Sequence, residues 1–129
     1  MFFDTHCHIH MDNFHGEQDA IVRHMRQAQV TRAVVVATEL DEVPAVQALC
    51  HQYPELYGAF AVSPQNEELP DMTAHTIANI VSDAKMVAVG ETGLDYHYCF
   101  EPLDWQRKRF ATHIEAAHIA NKPLIIHSR

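Results

Sequence analysis

Cysteine, positive charge and long apolar runs are all scarce in this chain. Its three cysteines, Cys7, Cys50 and Cys99, are odd in number and far apart, with no Cys-x-x-Cys pair. That excludes a disulfide framework and a thiolate zinc knuckle, and leaves free, reduced thiols. Nine Lys and Arg stand against 17 Asp and Glu, for a formal charge of −8, so the broad basic surface typical of a nucleic-acid binder is missing. A phosphate-bearing partner would have to be met by local Arg or Lys, or by metal ions. No apolar stretch approaches the ~20 residues that a membrane helix needs. Met1-Phe2-Phe3-Asp4 lacks the basic start and long apolar core of a signal peptide. The expectation is a cytoplasmic protein with no membrane partner. Low-complexity segments, linkers and close internal repeats are absent too, and the loop after the first apolar run has no phosphate-cradling glycine pattern.

What is present is a chain of 129 residues, 47% hydrophobic, the size and composition of one globular domain or a piece of one. Phe2 to His8 reads as a first strand and Asp12 to Gly16 as a polar turn. Glu17 to Gln29 has Ile21, Val22, Met25 and Ala28 at helical spacing, with Glu17 and Asp19 near the positive end of the dipole. Ala33 to Ala37 is a continuous β-branched run that suits a strand buried on both faces. Asp41 to Gln52 is helical, with Val43, Val46 and Cys50 on one side and Tyr53-Pro54 as its stop. Leu56 to Val62 is a third strand ended by Ser63-Pro64. A third helix carries Ile77, Ile80, Val81 and Ala84 on its core face. Met86 to Val89 is a fourth strand that runs into a glycine-bearing loop, Gly90 to Asp95. Leu103 to Asn121 is the longest helix, its inner face expected on Phe110, Ile114 and Ala117. Pro123 to His127 is a fifth strand. Trp105 and the phenylalanines are most simply core.

Strands alternating with helices imply a parallel α/β sheet with right-handed crossovers. An open five-strand sheet of flavodoxin type fits the length, whereas a complete (β/α)8 barrel needs ~250 residues. In either architecture the carboxyl ends of the strands share one rim, and active sites lie there. Asp4-Thr5-His6-Cys7-His8 ends the first strand, and alternation sends both imidazoles to one face and Cys7 to the other. Glu91 follows the fourth strand and His127 ends the fifth. Three histidines and a glutamate on one rim form a ligand set suited to zinc or another first-row divalent ion. Asp4 could orient a ligand imidazole or cap a turn. Asp95 is expected to fix the loop after Glu91, and Arg129 could meet a substrate phosphate. His10, past the histidine pair, reads as a solvated loop residue.

Three segments carry a resemblance. Asp4-Thr5-His6-Cys7-His8-Ile9, Gly90-Glu91-Thr92-Gly93-Leu94-Asp95-Tyr96 and Pro123-Leu124-Ile125-Ile126-His127-Ser128-Arg129 are similar to signatures of the TatD family of metal-dependent hydrolases and deoxyribonucleases. Gln106, Phe110 and Ala116-Ala117 resemble that family as well, and the likeness covers the chain in order. It implies parallel (β/α) repeats forming the amino-terminal half of a TIM barrel of the metal-dependent hydrolase type, so that residues 1–129 would be a single partial barrel domain cut after strand five. It further implies two or more divalent ions, zinc, manganese or magnesium. His6 and His8 would hold one, His127 would belong to the second, and Glu91 would bridge them as the catalytic carboxylate. The substrate would be DNA or another phosphate ester. The family draws a further His and an Asp from later strands, so this stretch alone is expected to bind metal weakly and to hydrolyse DNA poorly or not at all. Ser63-Pro64 stands where the family often has His-Pro, and His10 where it often has an acid. Two other readings are a non-catalytic fragment or pseudo-enzyme with a weak metal site, and a flavodoxin-like binding module.

Overall fold

The computed structural model describes residues 1–129. Five strands alternate with four helices: β1 (Phe2–Cys7), α1 (Gln18–Gln27), β2 (Val30–Ala37), α2 (Val43–Gln52), β3 (Leu56–Phe60), α3 (Ala74–Ile80), β4 (Met86–Leu94), α4 (Asp104–Ala120) and β5 (Leu124–Ser128). The strands lie in chain order, 1-2-3-4-5, and every neighbouring pair is parallel. This is the repeating order of a (β/α) barrel. A flavodoxin-like sheet has the order 2-1-3-4-5, so that expectation is overturned.

The β-branched run of β2 shows how the sequence builds two layers. Ala33, Val35 and Ala37 point to the helices and join Val22, Val46, Leu56, Phe60, Ile77 and Met86 in the main core. Val34 and Val36 point the other way and meet Ala59 and Ala88, with Tyr57 and Ile125 against them. Strand β2 is thus apolar on both faces because both faces are covered.

Helix ends follow local chemistry. The Thr73 hydroxyl accepts the Thr76 N–H at 3.2 Å and caps α3. Asn121, in the left-handed region at φ 52°, ends α4. Pro44 sits in the first turn of α2, where no intrahelical N–H is needed.

Several elements depart from the sequence reading. Strand β4 does not stop at Val89 but runs to Leu94, because Gly90, Thr92, Gly93 and Leu94 pair with Ile125 to Ser128 of β5. The buried face of α4 is polar rather than apolar. Gln106, Arg109 and His113 are buried with Ala116 and Ala117, whereas Ile114 is exposed and Phe110 half-buried. Phe2, Phe3 and Phe100 are exposed and Trp105 is half-buried, so of these only residues such as Phe60 are core. On α1, Val22 carries the burial while Ala28 is exposed, and Ala84 lies exposed beyond α3.

His113 shows why α4 buries polar groups. Its Nδ1 donates to the Arg109 carbonyl at 2.7 Å, and its Nε2 accepts the Val62 N–H at 3.0 Å, just past β3. Accepting the Val62 N–H needs the neutral ring, and burial, the largest influence, pushes the imidazole below its ordinary value although the Arg109 carbonyl acts the other way. The unfolded chain therefore takes up a proton in a range where the fold does not. Stability is expected to be complete above about pH 6.5 and to fall as pH drops below it. Urea midpoints between pH 8 and 5, taken beside His113→Gln, test this: the variant should lose part of the slope. An identical slope in both chains would assign the loss to other histidines.

Candidate metal centre

Glu91 owes its position to a β-bulge. Gly90 pairs with Ile125 and Thr92 with Ile126, so Glu91 is an extra residue with no partner on β5. A bulge bends its strand and re-aims the side chain it carries. Gly93, two residues on, faces His127 across the ladder. A Cβ at Gly93 would lie 2.0 Å from the His127 carbonyl oxygen, and its φ of +148° is one that side chains rarely adopt. Only glycine lets β4 and β5 close at this point. The glycines that read as a loop signal are thus what holds Glu91 and His127 together within a strand pair.

Four side chains converge at the carboxyl ends of β1, β4 and β5. His6 Nε2 lies 3.2 Å from His8 Nε2 and 3.4 Å from Glu91 Oε2. His8 Nε2 is 3.8 Å from Glu91 Oε1. His127 Nδ1 is 3.3 Å from Glu91 Oε2. One ligating atom from each of His6, His8 and Glu91 fits within 4.8 Å of the other two. Glu91 is therefore the group common to all three histidines, its Oε2 facing both His6 and His127 and its Oε1 facing His8.

Hydrogen bonds behind the ring set two of the three tautomers. His8 Nδ1 lies 2.8 Å from the Val36 carbonyl, which can only accept, so Nδ1 carries the proton and Nε2 keeps its lone pair. His127 Nε2 lies 2.8 Å from Asp95 Oδ2. Burial alone would raise the Asp95 carboxyl, but bonds from Gln65, the Tyr98 N–H, His127 and the His97 N–H outweigh it and hold it well below the usual carboxylate range. Asp95 is thus an acceptor, His127 Nε2 donates to it, and His127 Nδ1 presents its lone pair to Glu91. His6 Nε2, 3.2 Å from the His8 Nε2 lone pair and 3.4 Å from Glu91 Oε2, is the nitrogen left to donate within the cluster. Lone pairs and carboxylate oxygens face one another at 3.3–3.8 Å with no proton assigned between them, an electron-rich cluster complementary to a cation.

The remaining sequence candidates fall around this cluster. Asp4 accepts the His6 backbone N–H at 3.0 Å, so it fixes the chain and not the ring. Asp95 is fully buried and holds both His127 and the backbone N–H groups of His97 and Tyr98. Arg129 reaches the ring of Tyr98, 4.9 Å from its centroid. Cys7 points away from the histidines and donates to the Val34 carbonyl; burial, reinforced by Asp4, pushes its thiol up to about 11, so it stays protonated.

His10 is a correction: its side chain is only 2% exposed and its Nε2 lies 3.3 Å from Glu42 Oε2, so it is not solvated. The strand alternation that groups it with His6 and His8 was the usable signal. Sequence reading named Gln106 only through the resemblance, without its role, and missed Gln65. Gln106 Oε1 accepts the Asp95 N–H at 3.1 Å while its Nε2 donates to the Pro64 carbonyl at 2.8 Å. Gln65 Nε2 donates to Asp95 Oδ2 at 3.0 Å.

If Asp95 sets the His127 tautomer, Asp95→Asn is expected to weaken divalent-metal affinity about 10–100-fold, the usual cost of losing a partner behind a ligating histidine. The amide can turn an N–H toward Nε2 and reverse the tautomer. Calorimetric titration with zinc reads the effect; affinity within two-fold of the unaltered chain would contradict it.

Residues 3–129 match the family described as TatD related DNase. The uncharacterized metal-dependent hydrolase YabD of Bacillus subtilis (strain 168) is 31% identical over 132 residues, covering 100% of this chain and 51% of its own length. The crystal structure of YjjV, a TatD homolog from Escherichia coli K12, superposes with a TM-score of 0.83 at 31% identity, over 99% of this chain and 51% of that one. The 3'-5' ssDNA/RNA exonuclease TatD of Escherichia fergusonii is 27% identical, over 98% of this chain and 49% of its own length. The chain spans about half the length of the curated relatives it matches.

Proposed function

The chain belongs to the TatD-related DNase family, and from that premise we propose that it supplies the His6, His8, Glu91 and His127 part of a divalent-metal site that hydrolyses phosphodiester bonds in nucleic acid. The observation that carries the reading is the convergence of three imidazoles on the Glu91 carboxylate, two of them aimed by Val36 and Asp95. Three imidazole nitrogens and one carboxylate suit zinc or manganese, with magnesium less favoured by so many nitrogen donors. A carboxylate has two oxygens and can serve two ions at once, so the proposed number is two, with Glu91 bridging.

When bound, such ions lower the pKa of a water toward neutrality and stabilise charge on phosphate oxygens. The protein's own groups supply position and charge balance. His8 and His127 present fixed nitrogen lone pairs, Glu91 offsets part of the cationic charge, and buried Asp95 keeps His127 from turning. The formal charge of −8 would otherwise oppose approach of a polyanion, so local cationic charge is a requirement of this reading. DNA is the first substrate proposed, and RNA and other phosphate esters are the alternatives.

The test is to strip the chain of metal, load it with zinc or manganese, and follow hydrolysis of bis(p-nitrophenyl) phosphate and of a labelled single strand beside a version extended through the later strands. Metal-dependent cleavage by the extended version, lost on His6→Ala and Glu91→Ala, supports the reading. Stoichiometric metal binding with no cleavage by the extended version would favour a non-catalytic metal-binding role.

A further inference from the structure

Three large apolar side chains are exposed within one short loop beside the candidate metal centre: Tyr96 at 54%, Tyr98 at 56% and Phe100 at 80%. Scattered exposed hydrophobics need no explanation, but a cluster at the rim of a site does. The loop around them is held firmly. Asp95 Oδ1 accepts the N–H groups of His97 at 2.9 Å and Tyr98 at 2.7 Å. Cys99 is buried between the exposed aromatics, its thiol 3.5 Å from the carbonyls of Pro64 and Gln65. Glu101 Oε2 accepts the Leu103 N–H at 2.9 Å and closes the segment onto α4. The rings are therefore presented to solvent by a fixed backbone.

We propose that Tyr98 and Phe100 form a stacking platform for the unpaired bases of a nucleic-acid strand whose phosphate lies at Glu91 and His127. The inference rests on the phosphodiester reading of that site. Three observations favour bases over a protein partner. The platform is continuous with the metal centre through one carboxylate, because Asp95 takes the two loop N–H groups on Oδ1 and His127 on Oδ2. The Arg129 guanidinium lies over the Tyr98 ring, 4.9 Å from its centroid, so the ring already holds a cation for the strand's backbone on one face and offers a base the other. The nearby acids Glu101 and Asp104, which would repel phosphate, are already paired with Arg107. Aromatic faces beside a cation are how proteins bind single strands with little sequence preference, and each stacked base is worth about 5- to 150-fold in affinity.

The experiment compares two labelled strands of equal length and phosphate number, one of thymidines and one wholly abasic, both with phosphorothioate linkages that resist cleavage, by fluorescence anisotropy on the zinc-loaded chain. The thymidine strand is expected to bind at least about ten-fold tighter. Tyr98→Ala and Phe100→Ala should each lower its affinity about five-fold or more, and Tyr98→Phe, which keeps the ring, should restore it. Equal affinity for both strands, no binding of either, or unchanged affinity in both alanine variants would overturn the platform. Equal affinity together with self-association abolished by Phe100→Ala would assign the patch to protein contact instead, and would overturn it too. Hydrolysis of bis(p-nitrophenyl) phosphate, a diester without bases, is measured in parallel on the version extended through the later strands. Its failure alone would count against the hydrolase reading and not against stacking.

Discussion

Glu91→Gln is expected to lower divalent-metal affinity by more than about 100-fold while the chain stays folded. Losing a group that only orients a ligand already costs about 10–100-fold, and Glu91 is the group that faces all three histidines. Glutamine keeps its shape and one acceptor but removes the charge that offsets the ions. It also turns an N–H₂ donor toward imidazole nitrogens that now face a carboxylate. The fold should tolerate the change, because Glu91 sits in a bulge with no cross-strand partner and its side chain makes no bond to the core. Calorimetry with zinc and manganese, with urea unfolding in chelator as the check on folding, reads both halves of the expectation. Affinity within ten-fold of the unaltered chain would remove Glu91 from the ligand set.

Arg109→Met is expected to cost about 3–5 kcal/mol of folding stability. The Arg109 guanidinium is 3% exposed and donates from every nitrogen: Nε to Asp71 Oδ1 at 2.8 Å, Nη1 to the carbonyls of Ser63 and Asn66 at 2.7 Å, and Nη2 to those of Glu67 and Leu69 at 3.3 and 2.9 Å. Its flat face lies 4.8 Å from the Trp105 ring centroid. Hydrogen bonds to charged groups contribute about 1.5–3 kcal/mol each. The exposed loop carbonyls can regain water after the change, so two or three such losses at the low end of that range set the figure. Arg109→Lys should fall between, since an ammonium cannot fork to five acceptors. Chemical unfolding in chelator measures the effect, and a loss below 1 kcal/mol would contradict it. The same variant should also loosen Gln65, and with it the grip on Asp95 and His127.

The parts of this molecule that follow simple periodicity were legible in the sequence. The β-branched run at 33–37 is buried on both faces as its pattern requires. The alternation of strands and helices implied the parallel sheet, and parallel strands bring His6, His8, Glu91 and His127 to one rim. What escaped depends on contacts between segments distant in sequence. Gly90 and Gly93 are turn signals locally, yet pairing with β5 makes them strand, because their missing side chains admit Ile125 and the His127 carbonyl. Helix α4 was expected to bury Phe110 and Ile114. It buries Gln106, Arg109 and His113 instead, because loop 62–71 and Asp95 offer it backbone groups that need partners. Alternation hinted at the side His10 takes, but its burial depends on Glu42, which the Thr38 N–H and hydroxyl bind just past the end of β2 and which no local pattern links to His10.

The most direct measurement of the metal-centre reading is anomalous diffraction from crystals of the chain loaded with manganese or zinc, recorded at the metal edge. The expected result is density bonded to His6, His8 Nε2, Glu91 and His127 Nδ1, with the Asp95–His127 Nε2 bond retained. Metal bound away from Glu91, or bonded through His127 Nε2 with Asp95 displaced, would contradict it.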